Sequence, residues 1–91
     1  MKIIVNHTSS ITTDAEGNMY VTRPNMYGKI VTYRLSTKEY SMLEVANWLH
    51  TRGKAVQDAF PNMSAEDREF LMTGITPEDW AKMFPKEGED K

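Results

Sequence analysis

The sequence predicts one small α+β domain, with an antiparallel sheet of about three strands and then three to four short helices packed on one face. Residues 1–35 are rich in β-branched side chains and alternate in polarity, whereas residues 36–84 repeat helix-capping patterns. Glycine and proline separate the segments. The length of 91 residues suits a single domain. We place that domain at residues 1–85 and a charged, mobile tail at residues 86–91.

The first strand signals lie near the N-terminus. Residues 2–7 begin with an apolar, β-rich run, and residues 8–13 either extend this strand or form a second short one. A turn around Gly17 leads to a strand at residues 19–23. This strand ends at Pro24, because proline has no N–H to donate to a ladder.

Residues 29–35 give the strongest strand signal, and a turn over residues 25–28 precedes them. Alternation places two sets of side chains on opposite faces: Ile30, Thr32 and Arg34 on one, Val31, Tyr33 and Leu35 on the other. The second set is more apolar, so we expect it to pack on the helices.

From Ser36 the pattern becomes helical. Ser36 and Glu39 have the spacing of a capping box, which predicts a helix at residues 37–51 that stops at Gly53. Trp48 is expected beside the apolar stripe of this helix. The stripe itself consists of Met42, Val45, Ala46 and Leu49.

Three shorter helices are predicted at residues 54–60, 65–73 and 77–84. The last two begin with a hydroxyl residue that precedes an acid by three positions: Ser64 with Asp67, and Thr76 with Asp79. The apolar anchors expected for these two helices are Phe70, Leu71, Trp80 and Phe84.

The residue types argue against an enzyme or a metalloprotein. The chain has no cysteine, and neither His7 nor His50 has a second ligand at metal-binding spacing. The acids of the short helices favour the helix dipole, and we interpret them as solvated: Glu66, Asp67, Glu69, Glu78 and Asp79. No glycine-rich phosphate loop or nucleophile elbow is present. We expect no metal, no cofactor and no catalytic activity.

The net charge of −2 is unevenly distributed. Residues 1–38 carry five basic and two acidic side chains, whereas residues 39–91 carry six basic and eleven acidic ones. This asymmetry predicts a mildly basic sheet and a mildly acidic helical half. No apolar run is long enough for a membrane helix or a signal peptide, which predicts a cytoplasmic protein.

The helical half resembles a family of small proteins frequent in the genomes of tailed phages and of small single-stranded DNA phages. The similarity lies in four stretches: Leu35, Ser36, Thr37 and Tyr40; Gln57 to Pro61; Ser64 to Phe70; and Thr73 to Trp80. The resemblance implies a non-structural accessory protein made early in infection. Such proteins bind and redirect a host protein, or assist phage replication. It implies no catalytic residue.

Our first hypothesis is therefore a phage-type accessory protein that binds a host or phage protein, in host takeover or counter-defence. Seven methionines and two tryptophans are many for 91 residues, and both residue types recur at binding surfaces. The alternative is that the methionines fill irregular gaps in the core or lie singly on the surface. The residues expected to form this surface are Trp48, Met72, Trp80, Met83 and Phe84.

The alternative is a small nucleic-acid-binding module that uses the face of the sheet. Its residues would be Tyr20, Arg23, Tyr33 and Arg34, because aromatic rings stack on bases and cations bind phosphates. The negative net charge argues against this alternative. A strand edge could also pair across a two-fold axis and form a homodimer.

Overall fold

The computed structural model describes residues 1–36 and 39–83, and it confirms the α+β class. Within these residues four strands precede four short helices. The strands are β1 (Lys2–Ile4), β2 (Ser10–Thr13), β3 (Met19–Pro24) and β4 (Ile30–Arg34). The helices are α1 (Met42–Thr51), α2 (Val56–Ala59), α3 (Ala65–Thr73) and α4 (Pro77–Met83). Phe84 and the tail predicted at residues 86–91 lie outside the described residues.

The four strands form one antiparallel sheet in the order β1-β2-β3-β4. The first strand is shorter than predicted, because the N–H groups of Val5 and Asn6 both donate to the Ser9 carbonyl, at 2.9 and 3.2 Å. This turn reverses the chain after Ile4. The sequence left open whether residues 8–13 extend the first strand or form a second one. In the structure Ser10–Thr13 form the separate strand β2.

Pro24 is the last residue of β3, as predicted, and the ladder explains how a proline fits there. Pro24 pairs with Ile30 of β4, and the Asn25 N–H next to it donates to the Lys29 carbonyl at 2.7 Å. Since adjacent residues of a strand direct their backbone groups to opposite sides, the nitrogen of Pro24 points toward β2. The pairing of β2 with β3 already ends at Thr22, so no ladder bond is lost.

Helix α1 begins five residues later than predicted. Its N-cap is Ser41, whose hydroxyl accepts from the Glu44 N–H at 3.1 Å while the Glu44 carboxylate accepts from the Ser41 N–H at 2.8 Å. Both Ser36 and Ser41 precede a glutamate by three positions, and the structure uses the second pair. The hydroxyl and N–H of Ser36 are instead bonded to Asp67 of α3.

The C-terminus of α1 also differs from the prediction. The helix ends at Thr51, and its C-cap is Arg52 in the left-handed conformation, with φ of 52°. Gly53 was the predicted stop. The Arg52 N–H donates to the Trp48 carbonyl at 2.8 Å, and the Arg52 guanidinium lies 5.0 Å from the centre of the Trp48 ring. This cation–π contact helps to hold a non-glycine residue in a conformation that costs about 1 kcal/mol or more.

The helices pack on one face of the sheet, as predicted. Ile11 and Val21 are fully buried on that face, and Leu35 continues it beyond β4. On the helical side the core residues are Val45, Ala46, Trp48, Leu49, Val56, Phe60, Met63, Phe70 and Leu71. Val31 and Tyr33 pack against this core, whereas Ile30, Thr32 and Arg34 are exposed, so the predicted faces of β4 are confirmed.

Gly74 brings the end of α3 against the turn that connects β3 to β4. Its φ of +78° allows the left-handed C-cap, and its N–H donates to the Phe70 carbonyl at 2.7 Å. A Cβ atom at this position would lie 2.5 Å from the Cα of Asn25 and 2.8 Å from the Pro24 carbonyl oxygen. Both atoms belong to the backbone, so neither can move aside as a side chain could.

We expect Gly74→Ala to lower the free energy of unfolding by about 3 kcal/mol, since it adds a backbone collision to the cost of a left-handed alanine. Gly28→Ala is the matched control. Gly28 has nearly the same φ, +86°, but open space around its Cα, so the loss should be only about 1 kcal/mol. Urea unfolding measures both, and equal losses would contradict the close approach.

Candidate binding surfaces

A groove lies between the β3–β4 turn and helix α4. We call it the turn–helix groove, and its volume is about 290 Å³. Tyr27, Ile75 and Met83 supply its apolar surface, while Asn25, Asp79 and Lys82 supply its polar groups. Asp79, Lys82 and Met83 are spaced by three and four positions on α4, so one face of that helix lines the groove.

Local hydrogen bonds fix the turn that forms one wall of the groove. The Asn25 side-chain oxygen accepts from the N–H groups of Tyr27 and Lys29, at 2.9 and 3.0 Å. The Gly28 N–H donates to the Asn25 carbonyl at 2.9 Å, and the positive φ of Gly28 completes the reversal. Tyr27 contributes only its backbone N–H to this bonding, and its side chain is 69% exposed.

The opposite wall depends on the start of α4. The Thr76 hydroxyl accepts from the Asp79 N–H at 3.1 Å, which confirms the predicted cap. Ile75, just before the cap, is buried, whereas the predicted anchor Trp80 is 43% exposed, so only part of its side chain is covered. On α3, Met72 is 46% exposed and lies two residues before Gly74.

The residues predicted for a protein-binding surface are thus separated by the structure. Met72 is exposed on α3 and Trp80 on α4, whereas the partly buried Met83 lines the groove. Trp48 is only 7% exposed, and its indole N–H donates to the Lys54 carbonyl at 2.8 Å. It belongs to the core and presents no binding surface. Phe84 lies outside the described residues.

The second surface is the face of the sheet that carries no helices, which we call the open face. The strand register places Lys2, Thr12, Tyr20 and Arg34 in one row across all four strands. A cation therefore lies at each end of this row, with an aromatic ring between them. Lys2 was missed in the sequence analysis, because only the pairing register brings it into line with Tyr20 and Arg34.

The four residues predicted for nucleic-acid binding do not share one face. Tyr20 and Arg34 form a cross-strand pair on the open face, but Arg23 and Tyr33 point to the helical side. The prediction that all four form one surface is therefore wrong. Near Tyr20 the Asp14 carboxylate accepts from the tyrosine hydroxyl at 3.2 Å, and this bond raises the pKa of Tyr20.

Arg23 has a structural role at the end of α3. Its guanidinium donates to the Leu71 carbonyl at 2.6 Å and to the Pro24 carbonyl at 2.7 Å. The last carbonyls of a helix have no partner within the helix, and a cation there also complements the helix dipole. Burial and the nearby charge of Arg52 lower the pKa of Arg23. Arg23 thus ties β3 to α3.

Tyr33 and Asp67 form the main polar contact between the sheet and the helices. The fully buried Asp67 carboxylate accepts from the Tyr33 hydroxyl at 2.8 Å, and from the N–H and hydroxyl of Ser36, both at 2.9 Å. The interpretation of Asp67 as solvated is therefore wrong. The Tyr33 ring also packs on Phe70, with centroids 4.8 Å apart. Burial and the bond to Asp67 raise the pKa of Tyr33.

Among residues 1–36 and 39–83, no three histidine or acidic side chains are grouped so that they could hold a metal ion. In the same part of the chain, no helix is both long and apolar enough to cross a membrane.

Comparison with known proteins gives no match to a family model, to a curated protein or to a solved structure.

We expect Asp67→Ala to lower the free energy of unfolding by about 3 kcal/mol, because the hydroxyl of Tyr33 and the donors of Ser36 lose a charged acceptor. Tyr33→Phe should cost about 1 kcal/mol, since the ring contact remains. Glu66→Ala is the control: it removes the neighbouring acid, which is exposed, and should change stability by about 0.5 kcal/mol or less. Urea midpoints that are the same for Asp67→Ala and Glu66→Ala would contradict this role.

Proposed function

We propose that this chain is a non-enzymatic phage-type accessory protein that binds a host or phage protein through the turn–helix groove. Its site of action would be the cytoplasm of the infected cell, in host takeover or counter-defence. The observation that carries the proposal is the groove itself, whose apolar lining includes the exposed side chain of Tyr27.

The size and lining of the groove favour a protein partner over a small molecule. A volume of about 290 Å³ is at the lower limit for a drug-sized ligand, but it can take one or two side chains. Apolar contacts with a few charged groups nearby, here Asp79 and Lys82, resemble the centre and rim of a protein interface. Tyr27 and Trp80 are residue types that dominate binding energy in such interfaces.

The surroundings of the groove also support the proposal. Its turn is held by Asn25 and by the close approach of Gly74, so the binding side chains would be presented on a rigid frame. A rigid frame lowers the entropy that is lost on association. Met72 and Met83 are flexible, and they can adapt to the shape of a partner without a change in the backbone.

The phage context rests on the resemblance of the helical half to the small phage proteins. Several residues that carry this resemblance have structural roles: Ser36, Tyr40, Phe60, Ser64, Asp67 and Gly74. Ile75 and Asp79 belong to the same pattern and line the groove. The resemblance thus includes residues that hold the fold and residues that line the groove.

The test is capture of partners by a tagged chain in infected and uninfected lysates, with Tyr27→Asp as the disrupting variant. We expect a specific partner whose affinity for the chain falls tenfold or more. The reason is that a charge replaces an aromatic side chain whose burial by the partner contributes about 2 kcal/mol. Leu43→Asp is the matched control, since Leu43 is also a large exposed apolar side chain but lies on α1.

A partner retained equally by both variants would place its binding site away from the groove. No retained partner, even with chemical cross-linking, would contradict the proposed function. If a partner is captured and depends on Tyr27, Trp80→Ala and Met72→Ala show whether its contact extends to α4 and α3.

Nucleic-acid binding on the open face is the second candidate. The row of Lys2, Tyr20 and Arg34 supports it, because two cations flank a ring on which a base can stack. Asp14 argues against it, since its carboxylate lies beside the Tyr20 hydroxyl and repels phosphate. This opposition of charges is why we rank the open face below the groove.

Fluorescence anisotropy with labelled single-stranded oligonucleotides tests the second candidate. Arg34→Ala should weaken binding and lower the slope of log affinity against log salt by about one. Lys54→Ala is the control, because it removes an exposed cation from the helical half. If no oligonucleotide binds at low salt, or if both variants behave alike, the open face is not a nucleic-acid site.

A further inference from the structure

The outer edge of β4 offers unpaired backbone groups. β4 is the last strand of the sheet and pairs only with β3. The Leu35 N–H donates to the Met19 carbonyl at 2.9 Å, and the Asn25 N–H to the Lys29 carbonyl at 2.7 Å. Because alternate residues of an antiparallel strand bond to the same side, Val31 and Tyr33 also bond to β3. The backbone groups of residues 30, 32 and 34 therefore point to the outer edge.

In the described part of the chain, no further strand pairs with this edge. Within residues 1–36 and 39–83, no hydrogen bond joins the outward backbone groups of Ile30, Thr32 or Arg34 to another segment. The pairing of β4 with β3 continues without a bulge over five residues. Natural proteins usually shorten, twist or block such an edge. The opposite edge, β1, shows that pattern, because it has only three residues.

Side chains at this edge also leave apolar area uncovered. Ile30 is 49% exposed, and Val31 and Tyr33 pack against the core but remain only partly buried. A further strand beside β4 would cover part of all three. An occupant of this edge would thus bury apolar surface as well as satisfy backbone groups.

We propose that the occupant is a second copy of this chain, whose β4 pairs with this one in antiparallel orientation about a two-fold axis at Thr32. The three outward residues, 30, 32 and 34, are symmetric about Thr32, so every outward N–H and carbonyl finds a partner in this register. An axis at residue 31 or 33 would leave one outward residue of each strand without a partner. The result is a continuous sheet of eight strands.

Side-chain pairing in this register is favourable on both faces. On the helical side Val31 lies opposite the partner's Tyr33, which pairs a β-branched residue with an aromatic one. On the open face the two Thr32 side chains meet at the axis. Each Arg34 lies opposite the partner's Ile30, so no like charges face one another. Because a two-fold dimer occupies the β4 edge of both chains, this regular edge need not lead to fibres.

Thr32→Pro is the variant that tests the pairing. The Thr32 N–H points to the outer edge, so proline removes an intersubunit donor without breaking the ladder to β3. Thr32→Val is the matched control. Both variants lose the contact between the Thr22 and Thr32 hydroxyls (2.7 Å), but valine keeps the N–H. Far-UV circular dichroism establishes that each variant is folded.

Sedimentation velocity from micromolar to millimolar concentration gives the readout. We expect the unchanged chain and Thr32→Val to reach twice the monomer mass. Thr32→Pro should weaken association by about tenfold or more, because the two-fold axis removes two hydrogen bonds at once. An unchanged chain that stays monomeric throughout overturns the proposal, as does a dimer that Thr32→Pro leaves intact.

Residue-resolved amide exchange on the unchanged chain provides a test that needs no variant. On going from dilute to concentrated solution, the amides of Ile30, Thr32 and Arg34 should gain about tenfold or more in protection. Those of Val31 and Tyr33, already bonded to β3, should change much less. Protection that arises elsewhere, for example at Tyr27 in the turn–helix groove, would assign the dimer to another surface and overturn the proposal.

Discussion

The buried carboxylate of Asp67 is the interaction on which the arrangement of sheet and helices depends. It accepts hydrogen bonds from Tyr33 on β4 and from Ser36 just beyond it, while its own N–H is capped by Ser64. One side chain thus joins the last strand to the start of α3. A buried charge is stable only when its partners are in place, so these contacts also disfavour other packings of the same elements.

A second junction at the other end of α3 completes the frame. There Arg23 binds the Leu71 carbonyl, and Gly74 allows the helix end to touch the backbone of Asn25. Helix α3 is therefore fixed to the sheet at both of its ends by polar contacts, and along its length by Phe70 and Leu71. This fixed geometry sets the distance between the β3–β4 turn and α4, and with it the width of the turn–helix groove.

The sequence predicted what local signals determine: the fold class, the faces of β4 and the caps of the last two helices. It failed where a distant residue decides between local alternatives. Ser36 and Ser41 carry equivalent capping patterns, but in the structure Ser41 caps α1 while Ser36 bonds to Asp67, 31 residues away. Likewise, nothing adjacent to Arg23 or Tyr33 in the sequence shows that α3 supplies their partners. The groove was missed for the same reason, because its two walls are far apart along the chain.

The bonding of the β3–β4 turn has a consequence for how such proteins diverge. Asn25 and Gly28 hold the reversal, whereas the side chains of Met26 and Tyr27 project from it and take no part in holding it. Substitutions at these two positions should change the free energy of unfolding little. Substitution at the tip of this one hairpin could therefore change the chemistry of the surface beside α4 while the architecture below stays constant.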